Sequence, residues 1–429
     1  MRAEDLLQAI GKVDDALIEQ AAKKRPAPYL RWVALAASML LVVGLGIFAF
    51  TQLRDSGEVQ PTESVEAVDL SSYKIALITQ YGNIVDSSFD EASYEACKRF
   101  ADEHQIEFRY YKPVADHTAA RVESTELAIS EGYNIIVMSG YAFGGTVVEV
   151  APKHKDVKFI ALDMEEGDML EAAVANAGES YDYNPVNWDL ADYVDLSNVY
   201  CCNYREELAG FIAGYAAVQL GYTELGFAGG MAVPQIMRYG YGFVQGADAA
   251  AVRLGVDVQI KYGYFGQFFG DSDITSQIDR WYAEGTQAVF ACGGALYTSV
   301  AEAAMKADGK VIGEGTDRSH LIDGVYGEGI TLTSAMKEID LSAYDALTDI
   351  IINGKWDEYA GKIETLGMEE NAVYLHLPLE TTQWNEGFTQ EEYLALVNKL
   401  ASGEIRVSDD ISAEPITTIT VQYVDHPIG

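Results

Sequence analysis

Basic residues are scarce in this 429-residue chain: 29 Lys and Arg stand against 66 Asp and Glu, a formal charge of −37. With no Lys/Arg-rich surface to neutralise phosphates, nucleic acid is excluded as a partner class. The same acidity disfavours contact with anionic lipid headgroups. Cysteine is rare too. Cys97, Cys201, Cys202 and Cys292 lack the C-x-x-C spacing of a zinc or redox site. They read as small buried hydrophobes, or as one disulfide pair where an extracytoplasmic location permits it. His104, His117, His154, His320, His376 and His426 are dispersed, without H-E-x-x-H or other metal spacing, so no metal site is predicted. Phosphate-binding G-x-x-x-x-G-K-S/T, dinucleotide-binding G-x-G-x-x-G and the nucleophile elbow G-x-S-x-G are also missing. Nothing supports catalysis, and neither an enzyme nor a cofactor is expected.

Apolar and aromatic residues are plentiful, with 27 Tyr, 15 Phe and 5 Trp, enough to fill substantial cores. One uncharged run stands out, Trp32 to Phe50. At 1.5 Å rise per residue it spans roughly 28 Å, close to a bilayer's hydrocarbon thickness. Lys23, Lys24, Arg25 and Arg31 precede it, while Asp55, Glu58, Glu63, Glu66 and Asp69 follow. The positive-inside rule then puts the N-terminus in the cytoplasm and the main body outside. A cleaved signal peptide would be shorter and carry a small-residue cleavage site. A lipoprotein signal would need a cysteine just after the apolar run, and the first cysteine is Cys97. The prediction is a single-pass cell-membrane protein: a cytoplasmic arm (1–31), a transmembrane helix (32–51), an acidic linker (52–72) and a large extracellular domain (73–429). Leu6, Ile10, Val13 and Leu17 place an amphipathic helix in the arm.

From Tyr73 onward, short apolar runs alternate with helical patterns. Strands are predicted at 74–79, 106–111, 134–139, 157–162, 199–203, 224–228, 256–264, 287–292 and 310–314, with helices over 88–103, 118–131, 206–219, 272–284 and 295–307. Continuous rather than alternating apolar strands mark parallel sheets covered on both faces. Their alternation with helices marks βαβ units in doubly wound sheets. Roughly 350 residues exceed one such core, so two lobes are expected. Ligands in these folds bind beyond the carboxyl ends of the strands. The loops there are rich in glycine and aromatics: Gln80 to Asp90, Gly140 to Gly145, Gly229 to Pro234 with Arg238 and Tyr239 beyond, Phe265 to Asp271, and Cys292 to Gly294.

The order of these motifs resembles the basic-membrane-protein (BMP, PnrA-like) family of ABC transporter substrate-binding proteins, which bind purine nucleosides for import. Its D-x-S-F-N motif is similar to Asp86-Ser-Ser-Phe-Asp90, and E-x-x-x-L-A-G to the stretch Tyr204 to Gly210. The glycine-rich block resembles Gly226, Phe227, Gly229, Gly230, Pro234, Arg238, Tyr239, Gly242, Phe243 and Gly246. Further echoes are Gly266 to Phe268 with Asp271, Gln287 to Phe290 with Gly293 and Gly294, Ile312 to Asp317, and Thr333 to Lys337. The similarity covers about residues 73 to 355. It implies a type I periplasmic-binding-protein fold of two doubly wound α/β lobes: lobe 1 about 73–203 plus part of 317–429, lobe 2 about 204–316 plus the remainder. The implied site is Gln80, Phe89, Asp90, Phe268, Gly293, Asp317 and Lys337, with Phe89 and Phe268 stacking on a base and Lys337 reaching ribose hydroxyls. The implied partners are a small-molecule ligand, by default a purine nucleoside, and an ABC permease.

Three departures bear on the ligand. Gln80 stands for the family's first-loop Asp, Asp90 for its Asn, and Gly315 for the first Asp of its I-G-V-D element. A buried ribose hydroxyl without its acceptor costs on the order of 1–3 kcal/mol. An acidic, aromatic insertion, residues 178–196, reads either as a solvated loop or as a lid or partner surface. The reading is a membrane-anchored solute-binding protein of an ABC importer. The alternative is a membrane-bound sensor signalling through the arm.

Overall fold

The computed structural model describes residues 69–80, 89–182, 184–369 and 373–424, the side chains of Phe89 and Pro185 excepted. The predicted arm, the transmembrane helix and the linker up to residue 68 lie outside the described residues, among which no helix is long and apolar enough to cross a membrane. The described residues form one compact unit.

The chain runs β1 (Lys74–Ile78), α1 (Phe89–His104), β2 (Glu107–Tyr111), α2 (Thr118–Ser130), β3 (Ile135–Ser139), α3 (Gly144–Val150), β4 (Lys158–Leu162), α4 (Glu166–Asn176) and β5 (Val199–Tyr204). It continues with α5 (Glu206–Gln219), β6 (Glu224–Gly229), α6 (Pro234–Leu254), β7 (Gln259–Tyr264), α7 (Ser272–Ala283), β8 (Ala288–Cys292), α8 (Tyr297–Ala307), β9 (Lys310–Gly315), α9 (Ser319–Tyr326) and β10 (Thr331–Lys337). Last come α10 (Ile339–Leu347), α11 (Trp356–Tyr359), β11 (Ile363–Leu366), β12 (Leu375–His376), α12 (Gln390–Ala401) and β13 (Thr420–Tyr423).

Two sheets result. The first has six strands in the order β11-β5-β4-β3-β1-β2, and the second seven in the order β12-β10-β9-β8-β6-β7-β13. All pairings are parallel except β12 on β10. Within each sheet the first five strands repeat one order, with the second strand outside the first and the third inside it. Each sheet therefore has a topological switch point, between β1 and β3 and between β6 and β8, the place where α/β folds hold ligands.

Strand chemistry follows from burial on both faces. Ile75 and Leu77 enter the central core, which spans both sheets, while Ala76 and Ile78 enter the outer core of the first sheet. In the second sheet Phe290 enters the central core and Val289 and Ala291 the outer one. Successive side chains on a strand point to opposite faces, so a run buried on both sides is apolar throughout.

Three passages of chain join the sheets: β5 to β6 through α5, β10 to β11 through α10, and β11 to β12. The last two are tied together, because β12 pairs Leu375 with Lys337 and the Glu338 N–H donates to Tyr374 O at 2.8 Å. Helix α5 is buried along its whole length and crosses α6 at very short range. A Cβ on Gly210 would stand 2.0 Å from Tyr239 O, and one on Gly246 1.9 Å from Phe211 O. Gly214 and Gly242 meet Phe243 O and Glu207 O in the same way, both at 2.1 Å. Only glycine at all four points lets these backbones touch, and the contact sets the first turns of both helices beside the switch points.

The four cysteines are free and buried. The 178–196 insertion packs Tyr181, Trp188, Tyr193, Val194 and Leu196 on the outer core of the first sheet. Asp182 accepts Trp188 Nε1–H at 2.6 Å and Asn187 Nδ2–H at 2.7 Å, holding the loop against that face. None of the cavity-lining residues described next comes from it.

Candidate ligand-binding cleft

A cavity of about 310 Å³ lies where the two switch points face each other, within the size range of small-molecule sites. Gln80, Asp90, Gly140, Tyr141 and Asp163 line it from the first sheet's side. From the second come Gln235, Ile236, Tyr239, Phe268, Gly293, Gly294, Glu314, Arg318 and Lys337.

One end is aromatic. Tyr141 and Phe268 face each other with ring centroids 6.4 Å apart and planes inclined by 50°. Phe268 rests on backbone, since a Cβ on Gly230 would stand 2.5 Å from its ring. Gly293, with φ +129°, closes the same wall. Opposite, Gln80 ties the loop ends of the first sheet: its Nε2–H donates to Ser139 O at 2.9 Å and its backbone N–H to Asp90 Oδ2 at 2.9 Å.

The other end is ionic. Lys337, at the end of β10 and 4% exposed, donates to Asp163 Oδ1 at 2.6 Å and to Glu206 Oε1 at 3.3 Å. Its ammonium also lies 5.3 Å from the Tyr204 ring centre and 5.9 Å from that of Tyr239, a cation–π arrangement. Arg238 continues the network, with Nε–H donating to Glu206 Oε2 at 2.7 Å and a second nitrogen to Glu165. Arg318 donates from Nε to Glu314 O at 3.0 Å and stacks over Tyr297. Asp163 adopts φ +54°, a left-handed conformation that Asp tolerates better than most residues and that turns its carboxylate off the end of β4. Lys337–Asp163 and Arg238–Glu165 pair charges of the second lobe with charges of the first.

The balance is acidic. Burial pushes the carboxyls of Asp163, Glu165 and Glu314 above their ordinary range, although Lys337 draws Asp163 and Glu314 back and Arg238 draws Glu165 back. Burial works against the Lys337 ammonium, yet Asp163, Glu206 and Glu314 together hold it protonated. Burial, reinforced by Glu165 and Asp163, raises Asp168 to about 7.

Of the residues the sequence singled out, Gln80, Asp90, Phe268, Gly293 and Lys337 line the cavity. Phe89 opens α1 beside it, and its side chain is outside the described residues. Asp317 does not line the cavity. It accepts the Ser319 N–H at 3.0 Å and the Thr381 hydroxyl at 2.8 Å, and its neighbour Arg318 takes the wall. Sequence reasoning passed over Asp163 and Arg318, included Tyr141 and Glu314 only inside longer stretches, and noted Tyr239 without giving it a role. Asp163 carried a usable signal, being the residue next after a buried apolar strand.

Parallel α/β sheets with a cleft at paired switch points define the class as a fold that holds a small molecule between two sheets. The chain belongs to the family described as ABC transporter substrate-binding protein PnrA-like, whose profile matches residues 73–410, and membership implies a small-molecule ligand and a permease partner. An uncharacterized lipoprotein of Pyrococcus abyssi is 25% identical over 309 residues, 70% of this chain and 68% of the relative. The CD4+ T-cell-stimulating antigen of Listeria monocytogenes is 23% identical over 399 residues, 88% and 99%. In fold the chain is similar to the ABC solute-binding protein from Conexibacter woesei (TM-score 0.58, 19% identity, 79% and 99% covered). It is similar likewise to a transcriptional activator of the comK gene from Bacillus halodurans (TM-score 0.59, 14% identity, 77% and 99%).

Proposed function

We propose that the protein is the receptor of an ABC importer and that its cleft closes on a purine nucleoside. In this reading residues 32–51 anchor it in the membrane, residues 1–31 lie in the cytoplasm, and the domain faces the exterior. The carrying observation is the Tyr141–Phe268 pair, 6.4 Å apart across the cleft, beside an end rich in hydrogen-bonding groups. A planar ring between two others needs about 7 Å and near-parallel planes, so in this reading the two rings part slightly and lose their 50° inclination when a base enters. The carboxylates at the far end accept from hydroxyls, and they repel a phosphate. The Pyrococcus abyssi relative is named a lipoprotein, and attachment by a lipid would support a surface location through a different anchor.

A second reading is a membrane-bound sensor. It is favoured by the amphipathic pattern in residues 1–20 and by an apolar segment with no lipid-acceptor cysteine after it. The Bacillus halodurans activator has the same fold, so architecture alone does not separate sensing from uptake.

Native mass spectrometry of the full-length protein, purified in detergent without added solute, tests the ligand first, followed by thermal shifts with a nucleoside panel. The nucleoside reading is abandoned if no purine nucleoside stabilises the protein at millimolar concentration. Where one binds, Lys337→Ala is expected to weaken it at least tenfold, because Asp163 and Glu206 lose their shared cation. Unchanged affinity would remove the ionic end from the site.

A further inference from the structure

Tyr239 lies on the first turns of α6, is fully buried, and lines the cavity. Among the described residues its hydroxyl has no hydrogen-bond partner. A buried hydroxyl left unpaired is destabilising, so phenylalanine would serve packing alone better. Burial first, then the nearby carboxylates of Glu314, Glu206 and Asp163, raise the phenol well above its ordinary range, so it keeps a proton to donate. Glu314, 5% exposed, lines the same cavity and is the first of the charged groups acting on the Tyr239 phenol. It accepts the Gly293 N–H, and a carboxylate has capacity for further donors.

We infer that Tyr239 and Glu314 form a hydroxyl subsite at the inner end of the cleft, where one ligand O–H donates to Glu314 and accepts the Tyr239 proton. The inference rests on the reading of the cleft as a site for a small polar solute. A hydroxyl is the group that satisfies both partners. An ammonium has no lone pair for the phenol, a carbonyl has no proton for the carboxylate, and a phosphate would face Asp163, Glu206 and Glu314 together. Lys337 and Arg238 are already engaged with carboxylates, so the subsite reads hydrogen bonds rather than charge. Tyr239 is thus a specificity-determining residue for a hydroxylated solute.

Calorimetric titration of full-length wild type, Tyr239→Phe and Glu314→Gln with ribonucleosides, their 2′-, 3′- and 5′-deoxy derivatives and free pentoses tests this. For wild type, loss of one particular ligand hydroxyl is expected to weaken binding roughly tenfold to a hundredfold. Tyr239→Phe is expected to bind the parent solute weaker by a similar factor and to stop distinguishing it from that deoxy derivative, the non-additivity expected of groups in contact. In the unliganded state Tyr239→Phe is expected to melt higher than wild type, because an unpaired hydroxyl has been removed. Full retention of affinity and discrimination by Tyr239→Phe overturns the subsite and leaves solute binding standing. So does a drop in unliganded Tm that accompanies equal weakening for every solute, since Tyr239 would then be structural. Failure of wild type to bind any hydroxylated solute overturns both the subsite and the reading beneath it.

Discussion

Asp168, which does not itself line the cavity, illustrates at the scale of one residue what burial beside Glu165 and Asp163 does to a carboxylate. It sits in the first turn of α4, where its Oδ2 accepts the Glu165 N–H at 2.8 Å. A helix start favours a negative charge, but burial outweighs it and the group titrates near 7 instead of 3.8. Between those values the folded protein binds a proton that the unfolded chain has released, so stability falls as pH rises through that window. Asp168→Asn keeps the acceptor and removes the charge. Its gain in unfolding free energy, measured by denaturant titration, is expected to be larger at pH 8 than at pH 5 by an amount of the order of 2 kcal/mol; equal gains at the two pH values would refute the assignment. The same scale explains which site residues were readable. Lys337 and Phe268 fall in short linear patterns, and a pattern survives without its neighbours. Glu314 and Tyr239 acquire their meaning from each other across two elements, and neither position looks unusual along the chain.

Among the elements, the crossing of α5 and α6 carries the site. Glu206 opens one helix and Arg238 lies in the first turns of the other, and their 2.7 Å bond depends on how closely the helices approach. Alanine at Gly210 would favour the isolated helix by about 1 kcal/mol, yet its Cβ would stand 2.0 Å from the Tyr239 carbonyl oxygen. The steric term wins. Gly210→Ala is expected to lower Tm by several degrees and to weaken ligand binding together, measured by calorimetry and titration; normal affinity in a destabilised protein would uncouple the crossing from the cleft. Most strands were legible because two covered faces make an apolar run. β10 was not read as a strand. Thr331, Thr333, Ser334 and Lys337 are all buried in it, and Thr333 shares a 2.7 Å hydroxyl contact with Thr382, so its inner faces are satisfied by hydrogen bonds that leave no hydropathy signal. The C-terminal β12 and β13 are short and take their strand character from the edges they cover.

For the whole molecule, Lys337 joins two roles: it ends the strand at one passage between the lobes and pairs with Asp163 of the other lobe. Separation of the lobes must break that pair and the Arg238–Glu165 pair, so the charges that bound the cleft also hold it shut. Lys337→Ala is expected to have a larger radius of gyration than wild type in small-angle scattering, with ligand narrowing the difference; identical profiles would show that the Lys337–Asp163 pair does not hold the cleft shut. That the strands exceed one parallel sheet was legible from length and from the repetition of strands and helices. The return of part of 317–429 to the first lobe was implied by the family resemblance alone, and which segment returns was not legible, because nothing in Ile363 to Leu366 announces which sheet it will join. That return has a consequence for synthesis. β5 is made long before β11, its partner on the outer side, so the emerging first lobe carries an open, largely apolar parallel edge, Val199 to Tyr204, until nearly all of the second lobe has been made. Such an edge pairs readily with other chains. The interval between those two strands is therefore when the nascent protein most needs a holding chaperone.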